Sequence, residues 1–288
     1  MRSGNINIVK NRFVFVIPGL ILFTLFALIP IFSVFVMGFT SWDLLHPIKF
    51  VGLRNFKNML HDKWFWNSIL VSFKFMGISV PLIFVLSLAL AIALYKEDRF
   101  SRIFRAFFYW PYMIPAVVGG TMWKWLLSYD TGLLNYILLK LGLEPISWLE
   151  ESTNALISVS IAQVWILAGF MMMIFITGLQ NIPSEYQEAA FVDGATKWQV
   201  FWYVIFPLLK NTNILVLIVS IAYCFRSFTI VYIMTTGGPG YATTVAPLYI
   251  YQRAFTEYRI GYASALSAVV LIIALVIALI VLRVRKSD

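Results

Sequence analysis

Charge is scarce in this chain, and acidic charge is the scarcest. Only 12% of the 288 residues are charged, with 13 Asp and Glu against 22 Lys and Arg. No acidic residue falls inside a long apolar run, which argues against a carrier that couples protons or sodium through an intramembrane carboxylate. A single cysteine, Cys224, excludes an internal disulfide and any multi-thiolate metal site. The two histidines, His46 and His61, share one polar loop without metal-type spacing, so they read as solvated loop residues. No G-x-x-x-x-G-K-S/T phosphate loop occurs, so nucleotide hydrolysis must come from elsewhere. Without a His/Asp/Glu cluster at membrane depth, a membrane-embedded enzyme is disfavoured as well.

What the chain has instead is apolar surface. Hydrophobic residues make up 61% of it, against about half in a soluble domain. A soluble chain of this length could not hide that surface, and the composition specifies an all-α polytopic membrane protein. Six spans are expected, at about 13–39, 67–95, 106–128, 154–179, 212–235 and 260–282, in one transmembrane domain over 1–288. The first run is too long for a secretory signal and has no A-x-A site, so it reads as a retained span. FVGLRNFKNML reads as a short amphipathic helix at the interface. Lys96 to Arg105 is a basic loop, and Tyr129 to Thr153 a polar connection.

The formal charge of +9 forms no dense run, so nucleic acid is not an expected partner. The end segments, the Lys96 loop and the 181–211 loop hold twelve Lys and Arg, and the opposite side holds seven. The basic-rich side is cytoplasmic by the positive-inside rule, which places both termini and the 181–211 loop in the cytosol.

That loop, between spans four and five, punctuates like two short helices. Pro183 suits a first helical position, and Gly194 suits the left-handed residue that ends the helix. Thr196 with Gln199 makes a second N-terminal capping box. Trp198, Phe201, Trp202 and Ile205 then share one stripe, and Pro207 closes the helix. Two short helices, small at Ala189 and Ala190 and aromatic behind, form a knob between spans.

Glu188-Ala189-Ala190, then Asp193-Gly194, then Pro207 resemble the coupling loop of ABC-importer permeases. Val204 and Phe206 stand where that family usually has Ile and Leu. WLLSYDTGLLN at Trp125 to Asn135, TTGGPGYATT at Thr235 to Thr244, LYIYQRAF at Leu248 to Phe255 and GYASALS at Gly261 to Ser267 look like the permeases of carbohydrate-uptake importers. The likeness is greatest to the first permease of the maltose and glycerol-phosphate type. It implies the type I importer architecture, with a coupling helix (Glu188, Ala189, Ala190, Asp193, Gly194 and Pro207) docked in a cytoplasmic ATPase. It also implies a heterodimer with a second permease, an ATPase dimer that binds the ATP and Mg, and an extracellular solute-binding protein. The setting would be a bacterial or archaeal cytoplasmic membrane. Thr229 departs from relatives with an acidic residue there, which leaves the substrate open.

A pathway for a neutral polyhydroxy solute needs amides, hydroxyls and aromatic faces. Spans four and five offer Gln163, Trp165, Ser220, Tyr223, Arg226 and Ser227, with Ser220, Tyr223 and Ser227 on one helix face. Lys74 and Lys124 are expected to snorkel, whereas Arg226 lies deeper and either lines the pathway or bonds structurally to carbonyls. Arg226 favours an anionic substrate if it lines the cavity. The expected function is ATP-driven import of a di- or oligosaccharide. Glycerol phosphate or a polyol is the alternative, and a stand-alone secondary carrier the competing class.

Overall fold

The computed structural model describes residues 16–286. Thirteen helices are named here in chain order. They are α1 (Val16–Met37), α2 (Arg54–Leu60), α3 (Lys63–Leu94), α4 (Arg99–Met113), α5 (Ala116–Leu126), α6 (Leu133–Lys140) and α7 (Ser152–Gln180). They continue with α8 (Ser184–Val192), α9 (Lys197–Leu208), α10 (Lys210–Phe225), α11 (Thr229–Thr235), α12 (Ala246–Tyr251) and α13 (Ile260–Lys286). The described residues contain no named strand, only an isolated bridge between Thr40 and Phe50.

Four helices are long and apolar enough to cross a membrane alone: α1, α3, α7 and the described part of α13. The spans expected at 106–128 and 212–235 are not continuous. Each is two helices in series, α4–α5 and α10–α11, broken at Ile114–Pro115 and at Arg226–Phe228. No piece reaches the ~30 Å of a hydrocarbon core by itself. Pro115 accounts for the first break, since its ring forces the preceding residue out of the helical region; Ile114 has φ −75 and ψ 134.

Two other expectations are corrected. The basic stretch is helical from Arg99, because Asp98 caps it by accepting from the Ser101 backbone N–H. That bond holds the Asp98 carboxyl below its usual range. Arg105 then donates to the carbonyls of Leu94 and Lys96, filling acceptors left open at the end of α3. The Tyr129–Thr153 connection contains α6. Its organiser is Asn135, whose amide donates to the carbonyls of Tyr129 and Ile146 and accepts from Ile146 N–H and Trp148 Nε1. The basic residues before 13 and the start of the first expected span lie outside the described residues.

Prolines also explain two widened turns. A π turn at Thr24–Leu28 precedes Pro30, and another at Phe201–Ile205 precedes Pro207. Proline lacks the N–H for residue i−4 and crowds its carbonyl, so a looser turn relieves the strain. The helix runs one residue past Pro207 to Leu208, close to where Pro207 was expected to end it, and the chain turns by 69° into α10.

The described chain divides into two compact units, the larger being Lys63–Tyr249 with the segment from Ala274. Its centre is the packing of α3 on α7, with α4, α5, α10 and α11 also against α7. Helices in lipid gain nothing from hiding apolar area, so close approach at small residues must hold them. A Cβ on Gly169 would meet the Phe108 carbonyl oxygen at 1.8 Å, and one on Gly120 would meet Ile233 at 3.1 Å. Buried Ser68 and Ser72 return their hydroxyls to carbonyls of their own helix, while Ser72 Oγ accepts from Ala246 N–H. The smaller unit joins residues up to Asp62 with Ile250–Ile273. There Asn55, buried in α2, donates to the carbonyls of Gly38 and Thr40, and Gly261 lies against the Thr40 carbonyl where no Cβ would fit.

Candidate functional site

The larger unit carries two candidate sites, joined by α7 and α10. The first is the knob of α8 and α9. Helix α8 starts at Ser184 with Pro183 as its N-cap (φ −57, ψ 139), one place earlier than a first helical position. It ends at Asp193, and Gly194 follows at φ +84, where a side chain would be strained. The Thr196–Gln199 capping box is complete: Thr196 Oγ1 accepts from Gln199 N–H, and Gln199 Oε1 accepts from Thr196 N–H. Glu188, Ala189 and Asp193 are exposed, Ala190 partly so, and Val192 is 88% exposed. An exposed apolar tip edged by carboxylates is suited to contact with another protein. On α9 the Trp198, Phe201 and Trp202 rings pack on one another, and Trp202 packs on Phe206.

The second site is a cleft of about 420 Å³ among α4, α5, α7 and the α10–α11 break. Gln163, Tyr223, Arg226 and Ser227 all line it. Trp165 and Ser220 do not. Trp165 stands edge-on to Trp123 and fills the space over Gly119, while Ser220 is fully buried. The face expected to unite Ser220, Tyr223 and Ser227 does not exist as one helix surface. Helix α10 ends at Phe225, and Ser227 lies in the break beyond it.

The cleft is held by two pairs of neutral polar groups. Ser227 Oγ donates to Gln163 Oε1 at 2.9 Å, in a buried setting. Tyr112 and Tyr223 hydroxyls meet at 2.8 Å, with the Tyr112 ring stacked on Phe170. Arg226 caps the C-terminus of α10, where the helix dipole favours a cation. Its guanidinium carbon lies 5.7 Å from the centre of the Tyr223 ring.

Sequence reasoning missed Tyr112 and Phe228, both in the lining, and noted Thr229 only as a departure from relatives, though it lines the cleft as well. Pro115 was the available signal for Tyr112: a broken helix exposes backbone and side chains that a continuous one would pack away. Lys74 and Lys124 are exposed on α3 and in the last turn of α5, away from this cleft.

Residues 83–286 match the model of a family described as the binding-protein-dependent transport system inner membrane component. The chain belongs to that family. Related permeases agree along nearly the full length. The trehalose/maltose transport system permease protein MalF of Thermococcus litoralis is 34% identical over 287 residues, covering 96% of this chain and 94% of that protein. The arabinooligosaccharides transport system permease protein AraP of Bacillus subtilis is 31% identical over 280 residues, covering 96% and 88%. Among solved structures, a permease chain of a bacterial alginate ABC transporter, in complex with an alginate pentasaccharide-bound periplasmic protein, superposes with a TM-score of 0.85. It is 22% identical and covers 98% of this permease and 96% of that chain. At that identity the likeness speaks to fold, and the fold is that of an ABC-importer permease.

Proposed function

We propose that this permease forms part of the membrane pathway of an importer for a saccharide, most simply a di- or oligosaccharide. It works with a second permease, a cytoplasmic ATPase pair and an extracellular solute-binding protein. The reading rests on one arrangement: the same pair of helices joins knob and cleft. Helix α7 carries Gln163 near its middle and runs into the knob after Gln180; α10 leaves the knob at Lys210 and ends at Phe225, with Arg226 as its C-cap at the cleft. At 1.5 Å per residue each lever is about 25 Å long, most of a hydrocarbon core.

The physics of the cycle follows from that lever. With the basic-rich side inward, the knob faces the cytosol, where Glu188 can pair with a basic residue of the ATPase. ATP, with its Mg, stays in that partner, and closure of its two halves draws the knobs together. Rigid helices carry the displacement to the breaks at Ile114–Pro115 and Arg226–Phe228, the hinges nearest the cleft. The cleft then opens to the outside, where the binding protein delivers solute. Aromatic walls at Tyr112, Tyr223 and Phe228 can cover the C–H faces of a sugar ring, while Gln163, Ser227 and Thr229 address its hydroxyls.

Relatives named for trehalose/maltose and arabinooligosaccharide transport, and a solved neighbour bound to an alginate-loaded partner, support a sugar as cargo. Helix α1 has none of its apolar window buried within this chain, so lipid or another membrane subunit must cover it. Reconstitution tests the whole proposal. Uptake of labelled saccharide into liposomes should require ATP, the ATPase, both permeases and the binding protein. Uptake by this chain alone, driven by an ion gradient, would make it a secondary carrier.

A further inference from the structure

The one charged group in the cleft lining is Arg226. The neutral polar groups there bond mainly to each other, Gln163 with Ser227 and Tyr112 with Tyr223. The guanidinium differs. It has five N–H donors, and among the described residues its side chain makes no hydrogen bond or ion pair, only the approach to the Tyr223 ring. Helices α3, α4, α5, α7, α10 and α11 contain no Asp or Glu at all. The dipole of α10 steadies the charge while the exposed guanidinium meets water, but no carbonyl of α10 accepts from its side chain.

We propose that the solute carried past Arg226 is an acidic saccharide, whose carboxylate, sulfonate or phosphate becomes the counter-ion this cleft lacks. The inference deepens the sugar-permease reading and rests on it. When the cleft shuts, water around the guanidinium is displaced, and a charge left without an opposite partner in that setting is costly. A neutral sugar offers hydroxyl acceptors but no compensating charge. An acidic one offers two oxygens to the paired donors of the guanidinium, the match it favours. Charge-assisted bonds of this kind discriminate by about tenfold to a hundredfold.

The test uses the complete transporter in liposomes, offered matched pairs: cellobiose with cellobiouronic acid, and trehalose with trehalose 6-phosphate. Uptake of an acidic member should exceed that of its neutral partner by about tenfold or more. Arg226→Gln should collapse that ratio by raising KM for the acidic member, while Arg226→Lys retains much of it. Preference for the neutral members, or an acid preference that Arg226→Gln leaves intact, overturns the inference while the sugar-permease reading stands. If neither pair is carried, the same comparison is made with other neutral and acidic saccharide pairs: uptake of neutral members alone overturns the inference, and uptake of no saccharide by a complex that transports another class of solute sinks both. Should Arg226→Gln fail to assemble, the preference of the native complex together with the Arg226→Lys ratio decides the matter.

Discussion

Ser227 and Gln163, 64 positions apart in sequence, share a buried 2.9 Å hydrogen bond that pins the α10–α11 break to the middle of α7. Removing the amide leaves a buried hydroxyl without its acceptor, at a cost of about 1–3 kcal/mol. Gln163→Ala should therefore lower the thermal stability of the purified transporter and slow uptake. Gln163→Glu keeps an acceptor, so stability should largely survive, but it sets a carboxylate in the cleft that Arg226 lines. Uptake of acidic solute should then fall further than in Gln163→Ala. Thermal unfolding and uptake measured on both variants check this.

The close approach of α4 to α7 at Gly169 gives a second prediction. An added Cβ would lie 1.8 Å from the backbone oxygen of Phe108, an atom that cannot swing aside. Gly169→Ala must separate the helices and should cost about 1–3 kcal/mol. Gly77, in α3, has nothing within 4 Å of the same position. Gly77→Ala should be neutral or stabilising by up to about 1 kcal/mol. Equal melting temperatures for the two variants would contradict the packing described.

Asn135 makes a third. Its side chain takes part in four hydrogen bonds that fold the 129–148 segment on itself. Asn135→Ala should loosen that segment by about 2–4 kcal/mol, at about 1 kcal/mol per bond, without disturbing the helices. Limited proteolysis should cut the variant between Tyr129 and Thr153 faster than the native chain. An unchanged cleavage rate would show that α6 is held by other contacts.

At the knob, Gly194 is favoured for a backbone reason. Its φ of +84 is out of reach for proline, and for alanine costs about 1–2 kcal/mol. Gly194→Pro should abolish ATP-driven uptake while the chain still inserts, read by membrane fractionation beside the transport assay. Gly194→Ala should retain partial activity.

These elements differ in how far the sequence disclosed them. The knob was legible because its punctuation is local: a capping box at Thr196 and Gln199 and a glycine after Asp193 need only their neighbours. The long apolar spans α3 and α7 were legible from composition. Pro207 marked the end of α9 to within a residue, but it did not disclose the π turn before it that accommodates its ring. The α10–α11 break left no comparable mark. Arg226-Ser227-Phe228 holds neither Gly nor Pro, and the break is supported by Gln163 from another helix. Ser220 and Ser227 could therefore be counted onto one face that the folded chain does not have. Tyr112 was missed for the same reason, since its partner Tyr223 is 111 residues away.

The central claim is that the knob moves the cleft. Labelling tests it most directly, in the assembled transporter with Cys224→Ser and a reporter Thr229→Cys in the cleft lining. A membrane-impermeant thiol reagent added from outside should react with the reporter faster when ATP is bound. Adding Glu188→Lys on the exposed face of α8 should remove the ATP effect while leaving basal labelling unchanged. If the reporter ignores ATP in both proteins, or still responds when Glu188 is lysine, the knob is not the lever.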